Sequence, residues 1–330
     1  MLDKRVFYID GQWQSPAKAN DFQVINPSNE EPCAVISLGG QADTNAAVEA
    51  ANVAFDAWRE TPKEERLALI EKLAGIYMAR AEDMGEAISL EMGAPIAMAK
   101  AAQAGAGAGH IKSFIRAFKS FEFDRELGSH APGDRILMEP VGVCGLITPW
   151  NWPMNQVTLK VIPALAAGCT MVLKPSEIAP LSSHLFAEML DEAGFPAGVF
   201  NLVNGDGPGV GTQLSGHPDI DMISFTGSTR AGIAISENAA NTIKRVSLEL
   251  GGKGANLIFS DADDKAVTRG ARHCFNNSGQ SCNAPTRMLV ERSVYDQAVE
   301  HAVAAAEQTS VDIASKEGRH IGPVVSEIQF

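Results

Sequence analysis

The stretch Val141-Gly142-Val143-Cys144-Gly145-Leu146-Ile147-Thr148-Pro149-Trp150-Asn151 decides the fold. Its apolar run, Val143–Thr148, is too short for a helix and is bounded by glycine and proline. It reads as a strand buried on both faces. The same signature recurs at Thr170–Lys174, Val199–Val203 and Met222–Thr226. Helical stretches separate these runs at Asn155–Ala167, Ser183–Ala193 and Gly209–Ser215. Short apolar strands alternating with helices predict a doubly wound α/β fold with a parallel sheet. Ligands of such sheets bind beyond the carboxyl ends of the strands. The places to inspect are therefore Thr148-Pro149-Trp150-Asn151, Lys174-Pro175-Ser176-Glu177, Asn204-Gly205-Asp206-Gly207 and Thr226-Gly227-Ser228-Thr229.

Towards the N-terminus the pattern changes. Phe7–Trp13 reads as two short strands about an Asp10-Gly11 turn, and Ala34–Leu38 as another strand. Asp43–Arg59 is helical, with Val48, Ala51, Phe55 and Trp58 on one face. Thr61-Pro62-Lys63-Glu64 has the form of a capping box that opens a second helix. Helices over 81–92 and 96–119 follow. The Ala- and Gly-rich stretch 104–109 in the latter predicts close packing against a neighbour. Residues 121–140 read as a hairpin that leaves the main body, with polar Glu126–Asp134 at its tip. An uncovered hairpin of this kind is a candidate for contact between subunits.

Bulk properties exclude several classes. The 330 residues are enough for about two domains. The net charge of −13, from 27 basic and 40 acidic residues, disfavours nucleic acid and anionic membranes as partners. The longest uncharged run, Val141–Leu159, holds Pro149, Pro153, Asn151, Asn155 and Gln156, so it is not a membrane helix. The five cysteines show no paired spacing and read as reduced thiols. With no apolar signal core at Met1–Arg5, the expectation is a cytoplasmic protein. The seven histidines are scattered, and no metal pattern appears.

Each strand end has a chemical reading and a plain one. Glu177 suits the two hydroxyls of a nucleotide ribose, with Lys174 as a nearby donor; the plain reading is a solvated turn. Gly205, Gly207, Gly209 and Gly211 form a glycine-rich loop between strand and helix, but Val210 stands where the dinucleotide fingerprint requires glycine. Gly227-Ser228-Thr229 begins a helix, which suits a phosphate as well as an ordinary cap. Three such signals on one sheet point together to a dinucleotide. Glu249 precedes the glycine turn Gly251-Gly252 and suits a general base. Asn151, between Pro149-Trp150 and Trp152-Pro153, is held rigidly, which suits an oxyanion donor as well as a plain Asn-based turn. Cys282 ends the small, polar stretch Phe275-Asn276-Asn277-Ser278-Gly279-Gln280-Ser281. Such a loop reads as flexible and leaves the sulfur open, whereas a free cysteine is more often a buried small apolar group.

With these motifs in view, the chain resembles the NAD(P)-dependent aldehyde dehydrogenase superfamily. The resemblance rests on Pro149–Pro153, Lys174–Glu177, Phe225–Thr229, Glu249–Lys253 and Phe275–Cys282, in the family's order and at similar separations. It implies a Rossmann-like doubly wound sheet over 1–119 and 141–250, an oligomerisation hairpin over 120–140, and the N-terminal part of an α/β catalytic domain over 251–330. Cys282 is then the nucleophile, and Asn151 with the Cys282 amide holds the oxyanion. Glu249 activates the water that releases a carboxylic acid, and Lys160 lies near the active site. The cofactor contacts implied are Ile147, Thr148, Trp150, Lys174, Ser176, Glu177, Gly207, Gly211, Phe225, Gly227, Ser228 and Leu250. Glu177 favours NAD, because a carboxylate repels the 2′-phosphate of NADP; NADP is the alternative. Glu249 argues against the coenzyme A-acylating branch that resembles this family. The implied partners are an aldehyde and, for full-length family members, further copies in a homodimer or homotetramer, an assembly impaired in this chain.

The resemblance also implies a longer chain. Ser326-x-x-Gln329 looks like a capping box opening a helix, and the sequence ends at Phe330. The expectation is a C-terminally truncated chain, with an unstable catalytic half. Two other functions stay open on the sequence: an inactive nucleotide-binding fragment acting through a partner, and a cysteine-dependent esterase.

Overall fold

In the computed structural model, which describes residues 1–330, the N-terminal turn signals become short strands. They are β1 (Leu2–Lys4), β2 (Phe7–Ile9), β3 (Gln12–Gln14), β4 (Asp21–Asn26) and β5 (Glu31–Ser37). Asp10 and Gly11 are both left-handed, with φ of 53° and 70°, which matches the twist a tight hairpin needs. The β2–β3 hairpin does not stand alone. It pairs antiparallel with the end of the main sheet, Tyr8 opposite Leu202. The strands β1, β5 and β4 form a separate small sheet.

Five helices follow: α1 (Gln41–Arg59), α2 (Lys63–Ala79), α3 (Ala81–Met92), α4 (Ile96–Met98) and α5 (Gly105–Ser120). The capping box expected at Thr61 does not form. Pro62 occupies the cap position, and the Thr61 hydroxyl turns back to donate to the Ala57 carbonyl at 3.0 Å. The helix expected over 96–119 is interrupted: Ala99–Ala104 form a wider π turn between α4 and α5. The small residues pack as expected. A Cβ on Gly107 would lie 2.3 Å from the Tyr77 hydroxyl, which donates to the Ala104 carbonyl at 2.9 Å. Beyond α5, β6 (Asp124–Glu126) and β7 (Arg135–Leu137) form the expected hairpin, with Leu137 and Met138 exposed.

The apolar runs then build the sheet: β8 (Val143–Ile147), α6 (Pro153–Ala167), β9 (Thr170–Lys174), α7 (Leu181–Ala193), β10 (Phe200–Leu202), α8 (Thr212–Gly216), β11 (Met222–Gly227), α9 (Thr229–Ala240) and β12 (Arg245–Leu250). The segment read as a helix over 209–215 is a π turn, Gly207–Gly211, running into the short α8. Strand order is β12-β11-β8-β9-β10-β2-β3, parallel as far as β10. One face of the sheet buries Leu146, Met171, Leu173 and Phe200 in one core with residues of α2, α6 and α7. The other buries Val143, Val172, Ile223 and Phe225 with residues of α1, α8 and α9. Within β8, a Cβ on Gly145 would meet the Ile223 side chain of β11 at 2.5 Å, so glycine admits that neighbour.

The remainder forms a smaller layer. Strands β13 (Ala255–Ile258) and β14 (Arg287–Val290) pair in parallel, flanked by α10 (Ala266–Phe275) and α11 (Tyr295–Glu307). Ile258, Ala266, Val267 and Ala298 make its core. Leu257, Phe259 and Leu289 are exposed. Ser326 accepts from the Gln329 amide at 3.3 Å in a single turn, not in the helix the sequence suggested. No helix is long and apolar enough to cross a membrane.

Candidate active site

Strand register gathers the expected residues at one edge of the sheet. Ile147 lies beside Lys174 on one side and Phe225 on the other. Across β11 and β12, Thr226 pairs with Glu249 and Gly227 with Leu250. In a parallel sheet these ends share one direction, so the loops after them converge on one surface.

At β9 the Lys174 ammonium is buried and fully engaged. It donates to the carbonyls of Pro175 (2.6 Å) and Gly205, with the Glu177 carboxylate at 3.4 Å. Burial lowers its pKa, and Glu177 opposes that shift. Its three N–H groups are thus spent inside the protein. The half-buried Glu177 is the group here that keeps free lone pairs. Ser176 is buried and its hydroxyl accepts from the Ile178 amide at 3.3 Å. After β10, Asp206 accepts from the Gly209 amide at 2.6 Å and so fixes the glycine loop, in which the position of a Gly207 Cβ faces open space. Ser228 caps α9, accepting from the Ala231 amide at 3.2 Å. The first amides of α9 have no intrahelical partner, and the helix dipole adds positive character there. An acidic group for hydroxyls and a helix end for an anion fit the two ends of a nucleotide half.

The second cluster surrounds Cys282. After α10, Asn277 (φ 53°), Ser278 (φ 57°) and Gly279 (φ 76°) are successively left-handed. Such a conformation is unfavourable for a residue with a side chain, and asparagine tolerates it best. The loop is not the flexible one expected from composition. Asn277 and Gln280 are buried. Asn277 Nδ2 donates to the Asn151 carbonyl (2.9 Å), and Gln280 Nε2 donates to the Asn277 carbonyl (3.0 Å). Gln280 Oε1 accepts from the Val325 amide (2.9 Å), and Ser278 Oγ donates to the Gly322 carbonyl (2.7 Å). Cys282 itself is exposed at the end of this tied loop.

Asn151 meets Cys282's loop directly. Its Nδ2 donates to the Gln280 carbonyl at 2.8 Å, and Trp152 Nε1 donates to Ser281 Oγ at 2.7 Å. One N–H of the Asn151 amide is left over. The turn after Glu249 runs alongside as well: a Cβ on Gly252 would lie 3.6 Å from the Cys282 carbonyl oxygen. Glu249 is exposed on β12. Lys160, on α6, is buried and donates to Ser224 Oγ at 2.9 Å. Burial pushes its pKa down to about 8, and the Glu249 carboxylate pulls it upward. The structure therefore brings Asn151 and Glu249's turn to the Cys282 loop, and the Glu249 charge within influence of Lys160. Gln103 carries no signal in the sequence, and Asn277 and Gln280 carry none beyond their place in the stretch before Cys282. Polar residues spread over 103–280 carry no local signal of meeting, apart from their place in an otherwise apolar or glycine-rich setting.

A sequence model described as the aldehyde dehydrogenase family matches residues 13–330, and the chain belongs to that family. It is 51% identical over 336 residues to 3-succinoylsemialdehyde-pyridine dehydrogenase of a Pseudomonas species, covering 100% of this chain and 69% of that protein. Among solved structures it is similar to an aldehyde dehydrogenase from Bartonella henselae, at 61% identity and TM-score 0.99, covering 100% of this chain and 69% of the other. It is also similar to a mutant of aldehyde dehydrogenase C from Pseudomonas syringae in complex with NAD+ and octanal. There the identity is 46% and the TM-score 0.96, over 98% of this chain and 66% of the other.

Proposed function

We propose that this chain carries the residues for oxidising an aldehyde to a carboxylic acid with NAD+, through a covalent intermediate on Cys282. The observation that supports it most is the hydrogen bond from the Asn151 amide to the Gln280 carbonyl, two residues before the exposed Cys282.

Bound at the strand ends, NAD+ supplies the hydride acceptor, and the P. syringae relative was solved with that cofactor and an aldehyde. In this chain Glu177 takes the adenosine ribose hydroxyls, and Lys174 holds Glu177 in place instead of donating to the ribose itself. Ser228 and the first turn of α9 take the pyrophosphate. Ile147, Thr148, Trp150, Phe225 and Leu250 line the cleft between these points. Glu177 repels a 2′-phosphate, which makes NAD the preferred cofactor.

The Cys282 thiolate forms a bond to the aldehyde carbon, and the carbonyl oxygen takes the negative charge. The free N–H of Asn151 and the Cys282 backbone N–H stabilise that charge as it develops. Loss of hydride from the carbon leaves a thioester on Cys282. Glu249 takes a proton from water, which attacks the thioester carbon and expels the thiolate. Lys160 tunes the charge around Glu249. The same reading takes the β6–β7 hairpin, with exposed Leu137 and Met138, as the contact between copies.

The test is NADH formation on adding a panel of aldehydes. Wild-type chain produces NADH, and Cys282→Ser does not. A Cys282→Ser chain that still oxidises aldehyde would remove the nucleophile assignment, and ester cleavage without NADH would favour a plain thiol esterase.

A further inference from the structure

The helical stretch from Ile96 to Ser120 changes register at one place, the π turn Ala99–Ala104. A π turn re-aims side chains that a continuous α-helix would send elsewhere, and such turns recur at functional sites. Of the two polar side chains in this turn, Lys100 pairs with Glu82 and Glu86, and the buried one is Gln103, which is 0% exposed. Its Nε2 donates to the Asn151 backbone carbonyl at 3.1 Å and to Asn277 Oδ1 at 3.2 Å, with Met92 Sδ at 3.5 Å.

These two acceptors belong to the two halves of the proposed active site. Asn151 carries the oxyanion donor, and Asn277 opens the loop that ends in Cys282. The bonds close a ring. Asn277 Nδ2 donates to the same Asn151 carbonyl at 2.9 Å, and Asn151 Nδ2 donates to the Gln280 carbonyl at 2.8 Å. The ring fixes its own polarity. With the Gln103 amide turned over, Oε1 would face the Asn151 carbonyl and Asn277 Oδ1, both acceptors. As placed, Oε1 is buried with no partner. An unpartnered buried carbonyl is unfavourable by about 1–3 kcal/mol. The site retains this arrangement because both N–H groups are spent on Asn151 and Asn277.

We infer that Gln103 is a positioning residue: it locks the oxyanion amide of Asn151 to the nucleophile loop, and touches neither substrate nor cofactor. The inference rests on the roles proposed above for Asn151 and Cys282. Without the Gln103 amide, Asn277 Oδ1 loses its donor. The Asn277 amide is then held on one side only, by the Asn151 and Gln280 carbonyls, and the Asn151 carbonyl keeps one of its two side-chain donors. The Asn151 side chain and the Gln280 carbonyl then shift relative to each other, and with them the second N–H that faces the developing charge. The adenosine end of the cofactor, held at Glu177 and Ser228, is not part of the ring.

The test uses two variants close in shape to glutamine. Gln103→Met keeps the volume and removes both donors. It is expected to lower kcat by about 10- to 100-fold, the range set by misplacing a reacting group. The KM for NAD stays within about twofold, because binding of the adenosine end is uniform to both states. Backbone amides of 277–282 exchange with deuterium about tenfold faster, while those of β8 and β9 keep their wild-type protection. Gln103→Glu keeps the shape and sets a carboxylate against two acceptors. Its kcat relative to wild type rises as pH falls, because the protonated acid again donates one bond.

Wild-type kcat together with wild-type loop exchange in Gln103→Met overturns the proposal. So does a loss of kcat matched by an equal loss of NAD affinity and faster exchange throughout, which is the signature of general unfolding. Where Gln103→Met does not fold, Gln103→Glu decides, and a flat pH ratio overturns the proposal. If the wild-type chain oxidises no aldehyde, the proposed function fails while loop exchange still decides the role of Gln103.

Discussion

Lys160 shows how one buried side chain links the stability of this protein to its proposed chemistry. An unfolded lysine keeps its proton to about pH 10.4, whereas burial in the fold pushes Lys160 down to about 8. Between these values the unfolded chain binds more protons than the folded one, so Lys160 makes stability rise with pH across that window. At neutral pH its charge is a net burden on the fold. Lys160→Met is therefore expected to raise unfolding stability at pH 7 by on the order of 1–3 kcal/mol and to flatten the rise above pH 8. Urea denaturation at neutral and alkaline pH measures both, and an unchanged slope contradicts the burial argument. Glu177 offers a second test at this scale. Removing its charge in Glu177→Gln relieves the repulsion on a 2′-phosphate. The ratio of kcat/KM for NADP to that for NAD should rise about tenfold or more. A ratio that does not move places cofactor choice elsewhere.

At the scale of elements, the loop after α10 is where backbone strain and hydrogen bonding balance. Three left-handed residues in succession are unfavourable, and the buried amides of Asn277 and Gln280 offset that cost through bonds to Asn151 and Val325. Asn277→Ala removes the side-chain bonds to Asn151 and from Gln103 and leaves a non-glycine residue left-handed. It should destabilise by about 2–4 kcal/mol. Gly279→Ala adds only a Cβ at φ 76°, facing the Cys274 carbonyl at 3.6 Å, and should cost about 1 kcal/mol. Thermal denaturation ranks the two, and the reverse order contradicts this account of the loop. The elements differ in how far the sequence disclosed them. Thr170–Lys174 was legible to the residue because an apolar run between Gly168-Cys169 and Pro175 leaves few alternatives. The positions of the strand ends were legible because each polar or glycine-rich loop follows its strand directly. Pairing of β2 with β10 was not, since it joins residues nearly two hundred positions apart through one register contact, Tyr8 with Leu202. The Thr61 box failed because its hydroxyl found the Ala57 carbonyl first. The loop's rigidity was hidden for the same physical reason: it depends on Gln103, Asn151 and Val325, none of which is local to it.

For the whole molecule, burial is uneven. The large sheet has helices on both faces, whereas β13, β14 and the residue after β13 expose Leu257, Leu289 and Phe259. Contiguous apolar exposure of this kind binds hydrophobic dyes and promotes association. Phe259→Ser combined with Leu289→Ser should lower dye fluorescence and self-association without loss of NAD binding, since the proposed nucleotide site lies on the other sheet. Unchanged fluorescence would show that this face is covered in solution. The hairpin β6–β7 predicts a separate effect: Leu137→Glu with Met138→Glu should reduce the assembly size seen by sedimentation, and an unchanged size removes the hairpin as the contact. The central claim is that Cys282 forms the covalent intermediate and Glu249 releases it. Mass spectrometry of a Glu249→Gln chain mixed with NAD+ and an aldehyde tests it most directly. The account predicts a burst of NADH equal to the active chains, no sustained turnover, and an acyl group on the peptide that carries Cys282. Sustained NADH production by that variant, or a burst with no acyl group on Cys282, would contradict it.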